Sequence, residues 1–289
     1  MNKLILGTVQ FGLDYGINNA NGKPQKAKVF EILDCAYRNE IRLLDTADAY
    51  GNAVDIIGDY HRQTGQLFDI ITKFKIDKND KSNLTEKIGS SLEKLAVDSF
   101  WGYLYHSFSD YKNHPAALQE LITARKNGQI KHIGVSIYNN DELLLAAEDK
   151  HIDIIQLPYN LLDNDKQRGN LIAIAKANNK IIHTRSAFLQ GLFFKDTNTF
   201  PKILSPLVSE LKNIKQLIEH HNLDIATLAL KYATTNHNID NVLIGVDSTR
   251  QLIANIHAAA AKKLSSELIH KIDSIAVSDI ALLNPSNWS

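Results

Sequence analysis

The sequence predicts an α/β protein, a single (β/α)8 TIM barrel over residues 1–289 with extra helices after the seventh strand and at the C-terminus. Three observations carry this expectation. Short β-rich runs alternate with longer amphipathic runs, eight times over. No Pro/Gly/Ser-rich linker or low-complexity tract interrupts them, and several of the runs end in a chemically capable side chain.

Taken in order, the strand candidates are Leu4 to Thr8, Ile41 to Asp45, Phe68 to Lys73, Trp101 to His106, Lys131 to Ser136, Ile152 to Gln156, Lys180 to Thr184 and Asn241 to Gly245. Helical spacing lies between them. Leu84, Ile88, Leu92 and Leu95 fall on one face before the fourth strand, and Leu118, Leu121 and Ile122 precede Gly128, which is placed as a helix stop. The irregular connection is Ser186 through Phe200, which by its length reads as a functional lid. It leads into an extra helix from about Leu207 to His220, ahead of the seventh helix at Ile225 to Tyr232. A last helix is expected over Ser265 to Val277, before a tail ending at Trp288 and Ser289.

Composition narrows the function. Of 289 residues, 44% are hydrophobic and 22% charged, enough for a large core. Lysine plus arginine total 32 and aspartate plus glutamate total 32, so no net field favours nucleic acid or an anionic membrane surface. The apolar run after Met1 and Asn2 is too short for a secretion signal or a spanning helix, and a cytoplasmic location is expected. Cys35, the one cysteine, has the helical spacing of a core residue.

In such a barrel the active site lies where the strands finish. The strand ends read Thr8, Asp45, Lys73, His106, Ser136, Gln156, Thr184 and Gly245. Alternation puts Leu43 and Ile41 inward if Asp45 is inward, and Leu104 and Gly102 with His106, while Trp101, Tyr103 and Tyr105 face the helices. An Asp, a Lys and a His finishing three successive strands need partners if buried. Taken without Tyr50, the better reading of the three is a structural ion-pair network. With Tyr50, five positions after Asp45, the set can do acid–base chemistry.

A free phenol, with a pKa of ~10, is a poor acid at neutral pH. A positive charge at about 4 Å, with an effective dielectric of 20, stabilises the phenolate by roughly 4 kcal/mol, a downward shift of three pKa units at most. A proton-donating phenol beside a hydrogen-bonding histidine suits a carbonyl becoming an alcohol, with hydride supplied by a cofactor. No metal is called for: the strand ends offer no two-His-plus-carboxylate set, and His220-His221 sits at a helix end.

These residues resemble the aldo-keto reductase family. Leu44-Asp45-Thr46-Ala47 with Tyr50-Gly51-Asn52, Ile71-Thr72-Lys73 and Leu104-Tyr105-His106-Ser107 are similar to its catalytic segments. The similarity continues through Gly128 to Ser136, Gln156 to Asn160, Arg185 to Leu192, and Ile244-Gly245 with Gln251 and Asn255. The resemblance implies Tyr50 as general acid, Lys73 and Asp45 as the pair that tunes it, and His106 as the group orienting the carbonyl. It implies a nicotinamide cofactor, NADPH with NADH not excluded, held by Thr8, Ser136, Gln156, Arg185, Ser186, Gly245, Ser248, Arg250, Gln251 and Asn255. Within that set Ser136 and Gln156 would meet the carboxamide, Ser186 and its loop the pyrophosphate, and Gly245 to Arg250 the adenosine end.

The chain departs from the family pattern at several of these positions. Ile137 stands where many members have Asn, leaving Asn139 or Asn160 to make the missing contact. Arg185 stands where an aromatic often stacks on nicotinamide; a guanidinium can stack there, or meet phosphate or an acidic substrate. The cations many members use for a 2′-phosphate align with Gly245 and Gln251, leaving Arg250 with Ser248 as binders. The expected activity is reduction of a small-molecule aldehyde or ketone. The opening Leu6 to Ile17 and the Arg185-Ser186 pair resemble a bacterial branch linked with sugar metabolism, which implies a sugar-like substrate. The alternatives are a nicotinamide-binding regulatory protein of the same fold with little turnover, and a lyase or isomerase working through a Lys73 Schiff base.

Overall fold

The computed structural model describes residues 3–19, 22–76 and 83–288, so Met1, Asn2 and the last residue of the tail, Ser289, lie outside the described residues. Eight parallel strands close into a barrel in sequence order. They are β1 (Leu4–Gly7), β2 (Leu43–Asp45), β3 (Asp69–Phe74), β4 (Phe100–Tyr105), β5 (Ile130–Ser136), β6 (Ile154–Pro158), β7 (Ile181–Arg185) and β8 (Asn241–Gly245). Pairing of Leu6 with Leu44 on one side and with Ile244 on the other seals the ring.

The helices are α1 (Val9–Gly12), α2 (Lys26–Arg38), α3 (Ala53–Thr64), α4 (Leu84–Leu95), α5 (Phe108–Asn113), α6 (Pro115–Lys126), α7 (Asn140–Glu148), α8 (Asp165–Ala177), α9 (Val208–His221), α10 (Ile225–Thr235), α11 (Thr249–Ala260) and α12 (Ser266–Asp273). Local chemistry starts and stops them. The Asn83 side chain caps α4 by accepting from the Glu86 N–H at 2.8 Å, and Asn139 with Glu142 forms a reciprocal capping box at α7. Gly128, at a φ of 78°, ends the turn after α6 as its position predicts. The extra helices are α9 and α12. The Ser186 to Phe200 connection is not structureless, as it contains short 3₁₀ segments at Leu189–Phe194 and Thr197–Thr199.

The barrel has two cores. Leu6, Leu44, Ile70, Tyr103 and Tyr105 point out against the helices. Inside, Ile5, Ile71, Leu104 and Ile154 pack together with Leu43, Ile181 and Leu243. β5 adds Gly134 to this ring, because a Cβ there would come within 2.8 Å of Leu104 Cγ and Ile154 Cβ. Cys35 is a buried residue of α2. No helix among the described residues is long and apolar enough to cross a membrane.

Two facing assignments need correction, one expected inward and one expected outward. Ile41 packs in the outer core, because β2 begins only at Leu43 and the Ile41 N–H is bonded to the Ala36 carbonyl at the end of α2. Trp101 packs against the inner cluster and stacks on His183, with ring centroids 5.4 Å apart, and lies 4.8 Å from the His132 ring. Near the start of β4 the strand does not keep strict alternation, and Phe100 takes the outer place instead.

Candidate active site

The candidate site grows out of the inner ring. Two residues beyond Leu43, Ile71, Leu104, Gly134, Ile154 and Leu243, on the same side of the pleat, come Asp45, Lys73, His106, Ser136, Gln156 and Gly245. Parallel register sets these strand ends at one mouth of the barrel: Asp45 is opposite Gly7, which is opposite Gly245, and Ser136 is opposite Gln156.

Asp45 and Lys73 form an ion pair with side chains 3% and 4% exposed. The other carboxylate oxygen, Oδ2, accepts from Gln156 Nε2 at 2.8 Å. A buried carboxylate is costly unless charge and hydrogen bonds compensate it, and both its oxygens are occupied here. Burial alone would lower the Lys73 pKa, but Asp45 and the Tyr50 oxygen outweigh it and the ammonium is held above its ordinary value.

Tyr50 comes from the loop after β2, whose backbone is pinned by Thr46 N–H to Ile71 O at 2.8 Å and Asp48 N–H to Lys73 O at 3.1 Å. Gly12 lets the β1 loop cross this turn; a Cβ at residue 12 would fall 1.8 Å from the Tyr50 carbonyl oxygen. The Tyr50 hydroxyl shares a hydrogen bond with Lys73, whose Nζ lies 5.3 Å from the ring centre, and the His106 ring meets Tyr50 edge-on at 6.2 Å. The shift of the phenol reverses the direction expected from a lysine neighbour. Burial raises it, Lys73 lowers it and Asp45 raises it again, so the net pKa is above the ordinary value. An approaching cation whose charge is already balanced by Asp45 cannot offset the desolvation.

His106 lies one residue past β4. Its pKa is pushed down to about 3 by burial and by Lys73, Lys75 and Arg185, and its Nδ1 is buried without a protein partner. The ring is neutral at physiological pH, with one donor and one acceptor. Asp48 stays out of this cluster: its side chain bonds to Ser91 of α4. A cavity of about 550 Å³ opens there, lined by Asp48, Gly51, Lys75, Glu86, Lys87 and Lys94; none of Asp45, Tyr50, Lys73 and His106 lines it.

The remaining residues sort by position. Ser136 is buried at the end of β5 beside Gln156. Thr8 is fully buried and donates Oγ1–H to the Asp45 carbonyl at 3.0 Å, so it ties β1 to β2. Ile137 is packed in the outer core and Asn139 is spent capping α7, whereas the Nδ2 of buried Asn160 has no partner. Arg185, half-buried at the end of β7, donates to the Ile137 carbonyl at 3.0 Å and lies over the Tyr138 ring at 4.1 Å. Ser186 follows at a φ of 62°, with Leu189 and Gln190 also left-handed, which turns the chain sharply toward the β1 loop. There Gln190 Nε2 donates to the Tyr15 hydroxyl at 2.9 Å and the Ile17 N–H donates to the Gln190 carbonyl at 3.1 Å. Of the aromatics after β1, Phe11 is wholly core and Tyr15 walls the site.

At the end of β8, Ser248 caps α11 by accepting from the Gln251 N–H, Gln251 Oε1 accepts from the Asp247 N–H at 3.0 Å, Arg250 is exposed and Asn255 is buried. Gln10 was missed by sequence reasoning. Its Oε1 is buried without a partner, and a Cβ on Gly245 would lie 2.4 Å from its Nε2. Its signal was only adjacency to Thr8 in the first loop. Gly245 leaves room for the Gln10 amide, and the unpartnered polar atoms at Gln10 and His106 with the first turn of α11 would fit a dinucleotide laid across the mouth.

Comparison with known proteins places the chain in a family. The family model described as Aldo/keto reductase family matches residues 3–277. The chain is 26% identical over 270 residues to aldo-keto reductase str7 of Strobilurus tenacellus, covering 83% of this chain and 78% of that protein. It is 23% identical over 302 residues to the uncharacterized oxidoreductase YqkF of Bacillus subtilis (strain 168), covering 97% and 98%. The structure of aldo-keto reductase AKR11C1 from Bacillus halodurans, in its holo form, superposes with a TM-score of 0.74 at 19% identity, covering 95% of this chain and 92% of that one, which shows the shared barrel. Members of this family are oxidoreductases that use nicotinamide cofactors on carbonyl compounds. With the family model running from the first strand to beyond the last helix, the chain belongs to the aldo/keto reductase family.

Proposed function

We propose that the protein is a cytosolic, NADPH-dependent reductase of polar, sugar-like aldehydes or ketones, with Tyr50 as general acid, Lys73 and Asp45 as its supporting pair and His106 as the group that orients the carbonyl. The observation that carries this reading is the buried chain of contacts from Gln156 through Asp45 and Lys73 to Tyr50, with His106 alongside.

A nicotinamide dinucleotide, when bound, would supply the hydride. The rest is work for the protein's own groups. Neutral His106 donates its N–H to the carbonyl oxygen and fixes the substrate's approach. Tyr50, protonated at neutral pH, gives its proton to that oxygen as negative charge develops there, with Lys73 offsetting part of the burial that raises its pKa. Lys73, hydrogen-bonded to the phenol oxygen, stabilises the phenolate left behind, and Asp45 keeps Lys73 charged and aimed. Hydride to carbon and proton to oxygen complete the alcohol.

Ser136 and the free oxygen of Gln156 would hold the carboxamide, the Ser186 loop the pyrophosphate, and Gly245, Ser248, Arg250, Gln251 and Asn255 the adenosine end. The Asp247 contact uses only the Gln251 carbonyl oxygen, so the exposed Arg250, the Gln251 amide N–H and the Ser248 O–H would be the donors open to a 2′-phosphate, and the family habit favours NADPH. Fluorescence titration should find NADPH the tighter ligand, with Arg250→Ala narrowing the gap; equal affinities would remove the preference. The reaction is tested by following NADPH oxidation with aldehydes, ketoses and nucleotide sugars. Cofactor binding without turnover of any carbonyl would favour a regulatory role for the same fold.

A further inference from the structure

Arg185 is a cation without an acid. Among the described residues no carboxylate pairs with its guanidinium, whose hydrogen bonds go to the Ile137 carbonyl at 3.0 Å and the Ser186 hydroxyl at 3.4 Å. The planar group lies against the Tyr138 ring at 4.1 Å, so the β5–α7 connection fixes its orientation. Two hydrogen bonds use two of five N–H donors, leaving three. A half-buried charge that serves packing alone would be expected to have a counter-ion nearby. The acid closest to the chemistry, Asp45, is already saturated by Lys73 and Gln156.

Arg185 ends β7 at the same mouth of the barrel, paired with Pro158 two residues beyond Gln156. Its charge acts on Tyr15, Tyr50 and His106, and the other cations acting on His106 are Lys73, which is paired with Asp45, and Lys75. With Lys73 paired to Asp45, Arg185 and Lys75 are the remaining charges acting on His106. Tyr15 adds to the donor set, since its oxygen accepts from Gln190 Nε2 and its own O–H is left to donate. A planar, fixed fork of N–H donors beside a phenol hydroxyl matches the geometry of a carboxylate or phosphate oxygen pair.

We propose that Arg185, with Tyr15 beside it, recognises an anionic substituent on the substrate, so that the preferred substrates are aldehydes or ketones bearing a carboxylate or a phosphate. This rests on the reductase reading and names its substrate class. The role is one of specificity: Arg185 takes no proton and touches no reacting atom.

The test compares matched pairs: succinic semialdehyde against butanal for the carboxylate, and glyceraldehyde 3-phosphate against glyceraldehyde for the phosphate. The parent enzyme should have a kcat/KM for the anionic member at least about 10-fold above that for the neutral one in at least one pair, and the larger ratio tells which anion the site takes. Arg185→Gln should reduce that ratio by about 10- to 100-fold, as expected for lost charged hydrogen bonds, and Arg185→Lys should restore part of it. Equal losses for both members, with weakened NADPH binding, would assign Arg185 to the cofactor diphosphate and overturn the proposal. If no carbonyl is reduced the reductase reading fails, and the anion site is then read by calorimetric titration with unreactive butyrate and glycerol 3-phosphate. Binding that Arg185→Gln abolishes supports the site; no binding overturns it.

Discussion

Gln156 Nε2 donates to Asp45 Oδ2 at 2.8 Å, joining β6 to β2 across the barrel. The two residues are 111 positions apart and both are almost fully buried. Through this contact a residue expected to touch the cofactor also orients the carboxylate that holds Lys73, so the proposed cofactor contact and the proposed acid–base apparatus would share one hydrogen-bonded chain.

Gln156→Ala leaves one carboxylate oxygen unsatisfied in a dry site. Urea unfolding should show a loss of about 1–3 kcal/mol. An unchanged midpoint would mean that water or another donor replaces the amide at no cost.

Asp45→Asn removes the charge that balances Lys73. Breaking a buried pair from one side costs about 3–5 kcal/mol, whereas removing both charges costs much less. The double variant Asp45→Asn with Lys73→Met should therefore be more stable than Asp45→Asn alone, measured by the same unfolding curve. Additive losses would show that the two side chains are not coupled in the folded state.

Tyr50→Phe should retain NADPH affinity and lose about 10²- to 10⁴-fold in kcat, the range for a positioned proton donor. In the parent, reduction needs the protonated phenol, whose pKa is raised, so kcat should stay level through neutral pH and fall only above the ordinary phenol range. His106, at about 3, contributes no limb near pH 6.5. An inflection between pH 6 and 8 would assign the proton to a different group.

Acid sensitivity should come partly from two histidines. His106 and the fully buried His183, whose ring nitrogens lack protein partners, both have pKa values lowered to about 3 by burial first. A lowered pKa means that below about 6.5 the unfolded chain takes protons the folded one refuses. Their contribution is therefore neutral above that pH, and stability falls as pH drops from 6.5 toward 3, by about 1.4 kcal/mol per pH unit for each group. His183→Phe should flatten this acid slope in urea titrations at pH 7, 6 and 5. A slope unchanged by the substitution would place the acid sensitivity elsewhere.

By itself the sequence determined the number and order of strands and, to within a residue or two, where they end. Alternation along a strand is a local, period-2 property, so Asp45, Lys73 and His106 could be placed on one face from spacing, and Tyr50 with them from the turn after Asp45. Strand limits moved by a residue or two, because Thr8 and His106 bond as loop residues past the last ladder partner. Only the tertiary structure decided the rest. Trp101 turns inward because His132 and His183 from β5 and β7 offer it a stacking site, and Gln10 and Tyr15 reach the site because the β1 loop folds over the mouth. The direction of the Tyr50 shift also had to await the fold: a neighbouring lysine is visible in the sequence, but the depth of burial and the carboxylate that already balances that lysine are sums over distant parts of the chain.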